Sequence, residues 1–145
     1  MSISERLNDG VFVERLQSLD KDIAKYLYQA VRRAGIEIEQ DQIPIFRIDV
    51  NGEYPVEGPF AAENVVTVDG QSTLYISPSL LADHAENVRG LLGIIPDDER
   101  QEMKLEVYCL MQSMVDLTLQ AIPGLTEDDR DKVIKAFTEK NFLGK

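Results

Sequence analysis

FRIDVNGEYPVEG (residues 46–58) and VVTVDGQSTLYI (residues 65–76) carry the period-two patterning of this chain, and their reading decides the fold. In the first, Phe46, Ile48 and Val50 alternate with polar residues up to Asn51-Gly52, a dipeptide that favours tight hairpins. A two-residue turn there would set Val50 opposite Glu53 and split the apolar face. A three-residue loop, Asn51-Gly52-Glu53, sets Val50 opposite Tyr54 and Ile48 opposite Val56, and keeps one face apolar. The same parity downstream gives a loop Asp69-Gly70-Gln71, with Val68 opposite Ser72 and Val66 opposite Leu74. Two consecutive hairpins, and so an antiparallel sheet of about four strands, are expected. Pro55 has no N–H for the ladder, which assigns the second strand to an edge.

On either side of these strands the period becomes helical. Phe12, Leu16, Leu19, Ile23, Leu27, Ala30 and Ala34 step by three or four and define one face of a helix. Asp9 is placed to cap its start, Gly35 to end it, and Arg32 and Arg33 to meet the negative end of its dipole. Beyond Ser77-Pro78, a short helix is expected over Leu80 to Leu92, ended by Gly90 or Gly93. Pro96 and the acidic run Asp97, Asp98, Glu99 then look like the start of a long helix reaching about Ala121. From Leu105 to Leu119 only Glu106 and Asp116 are charged, so this helix is expected to be central and covered on more than one side. Thr126, followed by Glu127, Asp128 and Asp129, caps a last helix with Val133, Ile134 and Phe137 facing inward. The fold class is therefore α+β, in the order α-β-β-β-β-α-α-α, with the antiparallel sheet packed on one face by long helices. At 145 residues it is expected to form one domain, residues 1–145.

Charge is distributed unevenly along this plan. The chain holds 26 acidic and 15 basic residues for a net charge of −11, and between Ile36 and Glu99 there are 13 acidic residues against Arg47 and Arg89 alone. The flanks cancel, so the excess belongs to the middle segment, whose field attracts cationic surfaces and repels polyanions. Nucleic acid and anionic membranes are excluded as expected partners. The single cysteine, Cys109, fits a reducing compartment, and neither a secretory leader nor a membrane-spanning run is read, so a soluble, cytoplasmic protein is expected.

The inventory of reactive side chains is short. His84 is the only histidine and Cys109 the only cysteine, which rules out a Cys and His zinc site within one chain. Cys109 lies mid-helix beside Val107, Leu110 and Met111, where a thiol acts as a small hydrophobe, and His84 reads as a surface or capping residue. Asn51-Gly52 and Asp69-Gly70 are accounted for as turns and not as phosphate loops.

Glu99, Glu102 and Glu106 fall on one side of the long helix, a spacing suited to Mg²⁺. The Glu99-x-x-Glu102 step resembles that of helical nucleotide pyrophosphohydrolases over those few residues, which implies a Mg²⁺-dependent hydrolase of a phosphate-containing substrate as an alternative. The same face reads more readily as solvated, with no metal, because Arg100 and Lys104 interleave with the acids.

Two further features point to binding. Met103, Met111 and Met114 form a stripe suited either to the core or to a dimer seam. Around the first hairpin and its following loop, Glu53, Tyr54, Glu57, Phe60 and Glu63 combine aromatics with an acidic rim, which would suit a basic, apolar peptide. In size, acidity and helix-sheet-helix order the chain is similar to small acidic bacterial secretion chaperones. The expected function is thus a non-enzymatic protein-interaction module, an adaptor, small chaperone or regulator. It would need no cofactor and would bind a protein partner, basic in character, through the acidic sheet face and edge. A homodimer is a further expectation, and mimicry of DNA by the acidic segment is the other alternative.

Overall fold

Asp9 starts the first long helical stretch, its carboxylate accepting the amides of Val11 and Phe12 at 3.0 and 3.4 Å. The computed structural model, which describes residues 3–53 and 64–141, divides the N-terminal region into α1 (Ile3–Leu7), α2 (Gly10–Gln17) and α3 (Asp20–Arg33). One continuous helix was the expectation; the interruption falls at Ser18, whose hydroxyl donates to the Arg15 carbonyl at 2.6 Å. Serine competes in this way with the helical hydrogen-bond ladder. Of the expected stripe Leu16, Ile23, Leu27 and Ala30 are buried and Phe12 and Ala34 partly so, while Leu19, at the break, is exposed and Val13 is buried beside Phe12. Gly35, at φ +80°, ends α3, and the Ile36 amide reaches back to the Val31 carbonyl at 3.2 Å.

The sheet corrects the reading made from parity. Its described strands are β1 (Ile45–Ile48), β2 (Val65–Val68) and β3 (Gln71–Ile76), in the spatial order β1-β3-β2. β1 runs parallel to β3, with Ile45 opposite Thr73 and Ile48 opposite Ile76, while β2 is antiparallel to β3. The sheet is therefore three-stranded and mixed among the described residues, not a four-stranded antiparallel pair of hairpins.

Local chemistry explains both departures. After β1 the chain turns out of the sheet. The Val50 amide donates to the Ile48 carbonyl at 3.0 Å, and the Asp49 carboxylate accepts the Glu53 amide at 2.9 Å. An aspartate side chain that satisfies the backbone locally favours a turn over a ladder. Val50, assigned by alternation to the apolar face, is instead 53% exposed. The expected second strand around Tyr54 to Val56 lies outside the described residues. In the second hairpin, Asp69 and Gly70 both have positive φ, 51° and 79°, the signature of a two-residue type I′ turn. Val68 consequently faces Gln71, and Val65 faces Leu74, one residue out of the expected register. β2 has no fully buried side chain, so burial on one face did not dictate its register.

β3, the middle strand, buries Thr73, Leu74 and Ile76. β1 buries Phe46 and Ile48, and its outer edge is tied to the helices: Ile48 N–H donates to Gln17 of α2 at 3.3 Å, and Arg47 pairs with Asp20 of α3 at 2.9 Å.

The C-terminal helices lie where their caps place them. Ser77 accepts the Leu80 amide at 3.1 Å and Pro78 takes the first turn of α4 (Pro78–Leu92), which Gly93 ends in a left-handed conformation. Asp98 accepts the Gln101 amide at 2.9 Å to open α5 (Glu99–Gln120). Thr126 and Asp129 exchange side-chain and backbone hydrogen bonds at 3.1 and 3.2 Å ahead of α6 (Glu127–Asn141). α5 is central, packing against α4, α6 and β1, and buries Leu105, Cys109, Leu110, Met114 and Leu117 among others. α1 lies on α4, and α3 on α6. Among the described residues no helix is long and apolar enough to cross a membrane.

Candidate functional site

Antiparallel packing of α4 against α5 gathers most of the chain's unusual side chains along one helical hairpin. Its tip is built by two end signals in succession. Gly93 reverses the chain out of α4 and Asp98 restarts it as α5, leaving a connection too short to fold back on the body. The aliphatic side chains there stand in solvent: Leu91 is 89% exposed, Ile95 88% and Ile94 54%, with Leu92 and Met103 also open. Single exposed hydrophobes are ordinary, but a contiguous group marks an interaction surface. Asp97, Glu99, Arg100 and Lys104, all exposed, border it.

One turn inward lies a charged cluster joining three helices. Arg89 of α4 pairs with Glu102 of α5 at 2.5 Å and approaches Glu106 at 3.7 Å. Arg6 of α1 hydrogen-bonds the other Glu106 oxygen. The Glu106 side chain is fully buried, and its Oε1 has no hydrogen bond among the described residues. Burial pushes the Glu106 carboxyl above the usual carboxylate range, against the opposing pull of Arg6. Glu102 is held below that range by its hydrogen bond to Arg89, whose guanidinium is raised in turn by the same contact. Burial likewise raises the thiol of Cys109, one turn further along α5.

Deeper along the hairpin, His84 bridges the two helices. Its Nδ1 lies 2.8 Å from the Ser113 hydroxyl and its Nε2 lies 2.9 Å from the Asp116 carboxylate. A carboxylate only accepts, so Nε2 carries a proton and, in the neutral ring, Nδ1 accepts from Ser113. The order Ser, His, Asp is that of a hydrolytic triad, but Ser113 is wholly buried within a helix whose amides are already engaged. A nucleophile must reach its substrate. This trio therefore ties α4 to α5, and His84 is a half-buried interhelix contact and not a capping residue.

The expected metal set is separated by the same geometry. Glu99 is exposed in the first turn of α5, while Glu102 and Glu106 face arginines that occupy the place a cation would take. No group of three or more His, Cys, Asp or Glu among the described residues is arranged to hold a metal ion. Of the expected partner surface, Glu53 is exposed and receives a 3.4 Å hydrogen bond from Asn51. Tyr54, Glu57, Phe60 and Glu63 lie outside the described residues. The methionine stripe divides, with Met114 in the core, Met111 half-buried and Met103 open beside the hairpin tip.

Elsewhere, a cleft of about 710 Å³ follows α3, lined by Tyr28, Arg32, Ile36, Ile38 and Glu39. Arg32 sits 5.8 Å from the centre of the Tyr28 ring there. Neither the Arg89 cluster nor His84 lines it. Comparison of the chain with protein-family models, curated proteins and solved structures finds no match.

Proposed function

We propose that this protein is a non-enzymatic protein-interaction module that docks through the tip of the α4–α5 hairpin. The observation that carries this reading is the exposed run Leu91, Leu92, Ile94 and Ile95, interrupted only by Gly93. Covering one large aliphatic side chain is worth about 1.5–3 kcal/mol, so even partial burial of this group outweighs a few lost surface contacts. The hairpin is also preorganised. Arg89 with Glu102, and His84 with Ser113 and Asp116, tie its two helices together, which lowers the ordering cost of binding.

The polar clusters themselves favour binding over catalysis, because their groups are committed to one another inside the hairpin. A buried lone thiol at Cys109 supports a cytoplasmic setting. Among the described residues the apolar tip with charged flanks is the docking feature that supports this reading; of the expected surface at the first hairpin, only Glu53 lies among them.

The test is affinity capture from the native cell with the wild-type chain, with Ile94→Asp/Ile95→Asp and with Glu53→Lys. Capture is expected to fall about tenfold or more in the tip variant, equivalent to about 1.4 kcal/mol, and to persist in Glu53→Lys. Equal capture by the tip variant refutes the reading.

A further inference from the structure

We infer that the occupant of the α4–α5 tip is a second copy of this chain, joined about a two-fold axis; this rests on the proposed reading of the tip as a docking surface. The apolar residues supply the centre of such an interface, and the charges beside them supply a self-complementary rim. Asp97 and Glu99 precede Arg100 and Lys104; Glu102, between the two basic residues, is turned to Arg89, and Asp98 caps the helix, so the side chains left to the rim run from acidic to basic within eight residues. All four side chains are exposed, and none forms an ion pair among the described residues. Arg89, Glu102 and Glu106, one turn inward, are all paired. Arg100 and Lys104 are four residues apart on one helix face, where like charges repel.

Antiparallel contact of two α5 beginnings brings the acidic end of each onto the basic stretch of the other, which relieves that repulsion in both copies at once. A two-fold interface is isologous and needs this property of a single patch. Standard interfaces take about 20–30 residues a side. The tip therefore forms only the centre, and the exposed side of α5, where Met103 follows, extends it.

Net charge gives the inference a distinctive signature. Two chains of −11 repel at long range, and that repulsion is screened beyond about 8 Å at physiological salt. Salt screens this repulsion and the attraction of the rim pairs together, so self-association at the tip is expected to change less between about 20 and about 150 mM salt than capture of a basic partner, which weakens over the same range.

Analytical ultracentrifugation of the full chain up to about 100 µM tests this directly. The wild type is expected to sediment at twice the chain mass, and Ile95→Asp to raise the dimer dissociation constant about tenfold or more. Asp97→Lys/Glu99→Lys and Arg100→Glu/Lys104→Glu should each weaken self-association, and their equimolar mixture should restore a dimer. Circular dichroism melts confirm that each variant is folded. A wild type that stays monomeric, a dimer indifferent to Ile95→Asp, or a mixture that fails to recover overturns the inference. If the chain is monomeric yet capture of another protein still depends on Ile94 and Ile95, only the second copy falls and the docking role stands. Loss of both dependences removes the two together.

Discussion

Glu106 is the residue whose ionisation should register most clearly in solution. The folded protein holds its proton more tightly than the unfolded chain does, because burial raises its carboxyl. This group consequently favours folding below the ordinary glutamate range, and that contribution is lost as pH rises through the elevated value. Glu102 works the other way: depressed by Arg89, it favours folding above the ordinary range and loses that contribution as pH falls through its lowered value. Urea melts of Glu106→Gln are therefore expected to show the variant gaining on the wild type as pH rises from about 4 to about 7. A pH-independent difference between the two proteins would place Glu106 in an ordinary solvated environment. Its helix face was legible in the sequence, since Glu102 and Glu106 do lie together. What covers that face was not, because Arg6 and Arg89 come from other helices. His84 escaped for the same reason, its partners lying 29 and 32 positions away.

Elements with strong end signals were legible, and elements fixed by distant pairing were not. Ser77, Gly93, Asp98 and Thr126 mark α4, α5 and α6 because capping is decided within a few residues. β1 was recognisable as a strand, but its partner is β3, and nothing in the local alternation of 46–50 names a parallel neighbour in the seventies. The turn at Asp69-Gly70 shows how a parity argument fails on an edge strand. With β2 only partly covered on both faces, the conformation of the turn sets the register. Gly70→Ala, placing a Cβ at φ +79°, is expected to cost about 1–2 kcal/mol in chemical denaturation. Free space around the position means the cost comes from the backbone alone. A neutral result would mean that the turn has another shape.

Across the whole molecule, buried and exposed aliphatics should behave as two populations. Leu110 is fully buried on the central helix, and Leu110→Ala is expected to cost about 2–5 kcal/mol. Ile94→Asp/Ile95→Asp, at the tip, should change stability by no more than about 0.5 kcal/mol per site. Differential scanning calorimetry of the two variants separates the populations, and a strongly destabilised tip variant would mean that these side chains are packed. That a central apolar helix organises the core was readable from its missing charges. That the hairpin ends in bare hydrophobes was signalled by Leu91-Leu92-Gly93-Ile94-Ile95, a run of large aliphatics across a helix stop.

The strand order β1-β3-β2 also constrains when the sheet can assemble as the chain is made. β1 leaves the ribosome first, yet its neighbour is the last strand to emerge, and β2 offers it no hydrogen bonds. The β2–β3 hairpin, closed by two residues, can form by itself within microseconds. Alone such a hairpin is only marginally stable, so the addition of β1 and the packing of the helices complete the sheet together. Until β3 has left the ribosome, β1 lacks the one strand it pairs with among the described residues. Translation pauses before that point would prolong the interval in which a hydrophobic strand is open to chaperones or to misassociation.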